Sequence, residues 1–144
     1  MRVFIAGPIQ GWEEKQEYRE KIAEKLKQYG RERGMEIEIV DPWKRERIVY
    51  RGGEIPRGDN FIEKDLKDIE RSDVFVAYEP QLSAGTCMEL YHAKRIAEIY
   101  TIVITSQDCK RLSPWIVYHA DAMIKGIQDL DKPLDEFLKS IKHK

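Results

Sequence analysis

The sequence predicts a three-layer α/β fold, a five-stranded parallel sheet with helices on both faces, and two observations predict it. Short β-branched runs alternate with segments whose apolar residues recur at helical spacing, and each right-handed crossover lays its helix against one face of the sheet. The 144 residues suit a single domain, 1–144, with room for a real core.

The strands come first. "RVFIAG" (2–7), "EIEIV" (36–40), "DVFVAY" (73–78) and "YTIVIT" (100–105) are each closed by a turn signal or a helical pattern, and "DAMIKG" (121–126) supplies a fifth. Between them Tyr18, Ile22, Leu26 and Tyr29 recur at helical spacing, as do Ile62, Leu66 and Ile69, then Leu90, Ala93 and Ala97. A short helix opens at Ser113-Pro114, because Ser is a good N-cap and Pro suits the first helical position, and "PLDEFLKSIK" (133–142) forms the last. The expected arrangement is flavodoxin-like, with strand order 2-1-3-4-5. Ligands of such sheets bind beyond the carboxyl ends of the strands where the order switches, so "AGPIQG" and "YEPQLSAGT" should meet there.

Composition narrows the function classes. The 25 Lys and Arg nearly cancel the 26 Asp and Glu, and the net charge of −1 gives no electrostatic case for a nucleic-acid polymer or a membrane surface. The opening "MRVFIAGPI" is too short an apolar run for a signal sequence, nothing approaches a membrane span, and two cysteines make no disulfide framework, which together predict a cytoplasmic location. Dense Lys, Arg and Glu with a single Asn, Asn60, resemble a thermophile's composition. The long candidate loop "WKRERIVYRGGEIPRGD" (43–59) is rich in Arg and Gly, as functional loops of that length often are.

Among residues suited to chemistry, Gly7 and Gly11 in "AGPIQGW" let backbone amides approach a ligand beside a helix N-terminus, a placement equally served by an ordinary strand-to-helix turn. Asp65 shares a helical stripe with Phe61, Ile62 and Ile69. It is then either tied to a backbone amide or to an Arg such as Arg71, or it holds a substrate hydroxyl or moves a proton. Glu89 fits a capping box, Thr86-x-x-Glu89, but its helix also follows the strand that ends at the expected ligand crevice. Paired with Asp65, it would be equipment for attack on an oxocarbenium-like sugar centre. His92, His119 and Cys87 show no metal spacing or evident catalytic partner, so neither metal nor cofactor is expected. Trp12, Trp43 and Trp115 suit a core, although Trp12 and Trp43 follow strand ends and would be placed to cover a pocket.

"VFIAGPI", "FIEKDLKDIERSDVFVAY" and "SAGTCMELYHA", in this order and spacing, resemble the nucleoside 2-deoxyribosyltransferase superfamily, which includes the 2′-deoxynucleoside 5′-phosphate N-hydrolases. The resemblance implies cleavage of an N-glycosidic bond, with Glu89 as the nucleophile and Asp65 assisting. It places substrate contacts at Phe4, Gly7, Pro8, Ile9, Gln10, Gly11, Ser83, Gly85, Met88 and Ser113. Ser83 matches a position where free-nucleoside transferases carry an Asp that holds the 5′-hydroxyl and nucleotide hydrolases a Ser that binds a 5′-phosphate. Ser113 matches a second phosphate-contacting Ser that comes from the partner subunit of a homodimer. Two departures stand out. Gly7-Pro8-Ile9-Gln10-Gly11 replaces Gly-Ser-Ile-Arg-Gly, removing a Ser and an Arg from the phosphate contacts, and Phe4 stands near a Tyr of deoxy-specific members. Arg45, Arg47, Arg51 and Arg57 are candidates for the missing cation. The expected partner is therefore a small nucleoside or nucleotide. The rival readings are a base-exchanging transferase and a non-catalytic nucleotide-binding module.

Overall fold

The computed structural model describes residues 1–45, 61–108 and 110–142; Arg47, Arg51 and Arg57, and the Arg45 side chain, lie outside the described residues. Five strands form one sheet: β1 (Arg2–Ala6), β2 (Glu38–Val40), β3 (Val74–Tyr78), β4 (Tyr100–Ile104) and β5 (Ala122–Ile124). All neighbouring pairs are parallel and the order is β2-β1-β3-β4-β5, as predicted. In register, Phe4 pairs with Val40 and Phe75, and Val76 with Ile102.

Two apolar layers follow from the period-two alternation of a strand buried on both faces. Val3, Ile5, Val74, Val76, Ile102 and Ile104 face one way, against Ile22 and Leu26 of α1 (Glu17–Glu32) and Leu134 of α6 (Asp131–Lys142). Phe4, Ala6, Phe75, Ala77 and Val103 face the other way, against Ile69 of α3 (Ile62–Glu70), Leu90 of α4 (Ala84–Tyr91) and Ile116 of α5 (Pro114–His119). Between strands and helices, a one-turn α2 (Pro42–Arg45) follows β2, a π-helical segment (His92–Ile96) extends α4, and a 3₁₀ turn (Ile127–Leu130) precedes α6.

The Ser113-Pro114 helix start is as expected: the Ser113 hydroxyl accepts the Trp115 N–H at 3.2 Å, with Pro at the first turn. The capping box at Thr86 is not. The helix begins earlier, with Ser83 at the N-cap and its carbonyl accepting the Cys87 N–H at 3.0 Å. Thr86 sits in the first turn and Glu89 in the second, too far along the helix to reach back to the cap. The preference of Thr for caps and the Thr-x-x-Glu spacing suggested a start that the exit of the chain from β3 overrides.

Candidate active site

Three walls enclose a cavity of about 450 Å³ at the carboxyl ends of β1 and β3. The turn after β1 supplies Gly7, Pro8, Ile9 and Gln10, α3 presents Asp65 with Phe61 and Ile62, and α4 with its preceding turn presents Gln81 through Thr86, Met88 and Glu89. The volume falls in the range of small-molecule sites.

Residues at the start of α1 hold the first wall by its carbonyl oxygens. Tyr18 Oη and Gln16 Nε2 donate to Pro8 O at 3.1 and 2.9 Å, and Arg19 donates to Gly7 O at 3.2 Å and Ile5 O at 3.3 Å. Arg19 also pairs with Asp41 at 2.9 Å and donates to Gln16 Oε1 at 2.7 Å, so nearly all of its donors are used inside the protein. Gly7 is required here, because a Cβ on it would overlap the Tyr18 phenol. Burial above all keeps that phenol neutral by raising its pKa.

The second and third walls set the two carboxylates. Asp65 is neither buried in the core nor fully exposed and lines the cavity, in keeping with its spacing of four from Phe61 and three from Ile62. Glu89 shares an α4 face with Gly85 and Thr86 and is likewise half-buried. Burial, and then the Asp65 carboxylate, push Glu89 up to about 8, with Arg19 partly opposing them. At the mouth of α4 the Thr86 hydroxyl donates to Ser83 Oγ at 3.0 Å, which leaves the Ser83 proton free for a ligand.

Of the residues singled out in the sequence, Gly7, Pro8, Ile9, Gln10, Asp65, Ser83, Gly85, Met88 and Glu89 all line this cavity. Three do not. Phe4 is fully buried in the core and stacked on Phe75, because strand alternation turns it into the helix-covered face. Gly11 is exposed, at φ +79°, where it serves the turn. Ser113 lines an adjoining groove of about 590 Å³ with Trp115, Tyr91 and His119. Leu82, Ala84 and Met88 border both spaces. Among the described lining residues of the cavity there is no Lys or Arg. Trp115 is exposed instead of filling the core.

Sequence reasoning missed Gln16, Arg19 and Asp41. A signal existed: Arg19 stands three, four and seven residues before Ile22, Ala23 and Leu26, a charge on an apolar stripe. Among the described residues, no cluster of His, Cys, Asp or Glu is suited to a metal, and no helix is long and apolar enough to cross a membrane.

No family model matches the chain. A mouse protein, 5-hydroxymethyl-dUMP N-hydrolase, is 31% identical over 128 residues, which are 88% of this chain and 66% of the relative. With this relative the chain is similar to the nucleoside 2-deoxyribosyltransferase superfamily. It thus spans just under two thirds of that relative's length. Among solved structures, a 2-deoxyribosyltransferase from Bacillus psychrosaccharolyticus superposes with a TM-score of 0.63 at 16% identity, covering 91% of this chain and 90% of that one. A CMP N-glycosidase from Clostridium botulinum superposes at 0.55 and 17% identity, covering 95% and 99%. At such identities the structural likenesses establish the fold alone. The paired carboxylates, Glu89 on α4 and Asp65 on α3, occupy the crevice where an α/β sheet of this order binds its ligand.

Proposed function

We propose that this protein cleaves the N-glycosidic bond of nucleoside 5′-monophosphates, releasing free base and sugar 5-phosphate. The observation that carries the reading is the meeting of Glu89 and Asp65 in one cavity with Ser83 at the N-terminus of α4. The sugar lies between the carboxylates, with its phosphate towards Ser83 and the free amides of the first helical turn, which favour an anion.

Ionised Glu89 attacks C1′ as the C1′–N bond breaks, and the electron pair of that bond leaves on the base nitrogen. The leaving base takes its proton from solvent water. Water then attacks C1′ of the glycosyl-enzyme, the Glu89 ester bond breaks, and a proton passes from water to Asp65. Two displacements from opposite faces of C1′, each an inversion, together retain the anomeric configuration. Ser83 favours the nucleotide over the free nucleoside, since a hydroxyl accepts a phosphate where an Asp would repel it.

The partner we assign is a second copy of this chain. Leu82, Met88, Trp115 and Tyr118 are each more than two-thirds exposed, and the groove that Leu82, Met88 and Trp115 border runs into the cavity through Leu82, Ala84 and Met88. A second subunit seated there would cover the apolar surface, close the cavity mouth and bring its own Ser113 near the phosphate.

The decisive experiment is chromatography of the products from 5-hydroxymethyl-deoxyuridine, other nucleosides and their 5′-monophosphates, each with and without a second free base. Base and sugar phosphate from a monophosphate are expected. New nucleoside formed at the expense of free sugar would establish the transferase instead, and binding without bond cleavage would establish a silent nucleotide-binding module.

A further inference from the structure

The Glu79 side chain is 1% exposed at the carboxyl end of β3, yet it does not line the cavity. An ionisable group is costly in such a place unless it holds something. Its backbone N–H donates to Ile104 O at 2.9 Å, which fixes its base to the middle of the sheet. Its carboxyl reaches α4: Oε1 accepts from Cys87 Sγ at 3.6 Å. The Cys87 N–H in turn donates to Ser83 O at 3.0 Å, so the Glu79 carboxyl is linked to the Ser83 turn through Cys87. Burial pushes Glu79 up to about 7 and the Cys87 thiol up to about 11, so Cys87 remains a thiol donor at neutral pH. Oε2 has no hydrogen-bond partner among the described residues.

The rest of the turn is tied down less deeply. Gln107 Nε2 donates to Pro80 O at 2.9 Å, and Leu82 is exposed. Among the described residues, Glu79 is thus an interior contact that links the strand end to the first turn of α4.

We propose that Glu79 is the positioning residue for the Ser83 turn: by holding Cys87, whose N–H donates to Ser83 O, it sets where the Ser83 hydroxyl stands and hence how strongly the site prefers a phosphorylated substrate. The specificity half rests on the reading above in which Ser83 meets the 5′-phosphate. Cys87, in this scheme, is a donor that locks the carboxyl and takes no part in chemistry.

The test uses Glu79→Gln, which keeps an acceptor oxygen, and Glu79→Leu, which has none; Glu79→Met is the second acceptor-free variant should leucine fail to fold. Two readouts apply: amide hydrogen exchange at residues 83–87, and kcat and KM for 5-hydroxymethyl-deoxyuridine 5′-monophosphate and for the nucleoside without phosphate. In the acceptor-free variant the Ser83 and Cys87 amides should exchange about tenfold faster while β4 amides are unchanged. KM for the monophosphate should rise about tenfold with kcat within about threefold, and KM for the nucleoside should stay put. Glutamine should restore most of both.

Unchanged exchange at Ser83 overturns the positioning role. Equal loss of kcat on both substrates with KM unchanged overturns the specificity role. If the unaltered protein shows no preference for the monophosphate, or Ser83→Ala leaves that preference intact, the phosphate reading itself falls and the specificity half with it. The exchange data then still decide, by themselves, whether Glu79 positions the turn.

Discussion

Arg19 Nη1 lies 2.9 Å from Asp41 Oδ1 with both side chains buried, and the same guanidinium holds the carbonyls of Ile5 and Gly7. One ion pair therefore braces α1, the turn that follows β2 and the first wall of the cavity. Removing one partner of such a pair leaves the other charged and buried.

Arg19→Met should accordingly lower stability by about 3–5 kcal/mol, read from urea unfolding. Pairing it with Asp41→Leu should recover a large part of that loss, because no orphaned charge then remains. An Arg19→Met protein as stable as the parent would show that the pair is not a brace.

The second prediction concerns Glu89 and pH. A nucleophile works as its anion, so kcat/KM should climb with pH and level off above an inflection near 8, where burial and Asp65 hold the Glu89 proton. Asp65→Asn removes the like charge and should move the inflection down, while lowering kcat if Asp65 handles the proton. Glu89→Gln should lower base release by about a thousandfold or more with binding retained. Rapid-quench assays of free base across pH 5–9 measure all three. A pH profile for Asp65→Asn that superposes on the parent's would separate the two carboxylates.

Stability should carry a related pH signature. The folded protein holds the Glu79 proton up to about 7, whereas the unfolded chain releases it near the ordinary glutamate value of 4.5. The raised folded value means that this contribution is fully present below about 4.5 and is lost as pH rises through 7, on the order of 3 kcal/mol in all. Glu89, also raised, adds to the same fall at somewhat higher pH. Unfolding free energies of Glu79→Gln should therefore vary less between pH 5 and 8 than those of the parent. Identical slopes would mean that the carboxyl is solvated in the folded state.

The fourth prediction addresses the exposed face of α4 and α5. Sedimentation should show a dimer at micromolar concentration, and specific activity should fall on dilution as the shared sites come apart. Trp115→Glu should give a folded monomer with little activity. Full activity in that monomer would place Ser113 outside the chemistry.

The strand order was legible because β-branched runs alternating with helical spacing admit few right-handed arrangements. The location of the site followed, since the switch between β1 and β3 is set by that order. Asp65 was legible from a charge on an apolar stripe, and the same signal at Arg19 passed unread amid the many charges of α1. Phe4 was misplaced because resemblance carries a position but not the direction in which alternation turns a side chain. Glu89 was first read as a cap, since Thr-x-x-Glu spacing is local, whereas the true start of α4 depends on where β3 releases the chain.

By itself, then, the sequence determined the alternation of elements, the parallel sheet and which segments reach its carboxyl edge, because those depend on local periodicity and the handedness of crossovers. Only the tertiary structure decided that Glu89 faces Asp65 across a cavity, that Ser113 belongs to a neighbouring groove, and that Glu79 turns inward to Cys87 and the Ser83 turn. Those are relations between residues on different elements, or across a turn, and their distances and burial exist only once the sheet has brought the elements together.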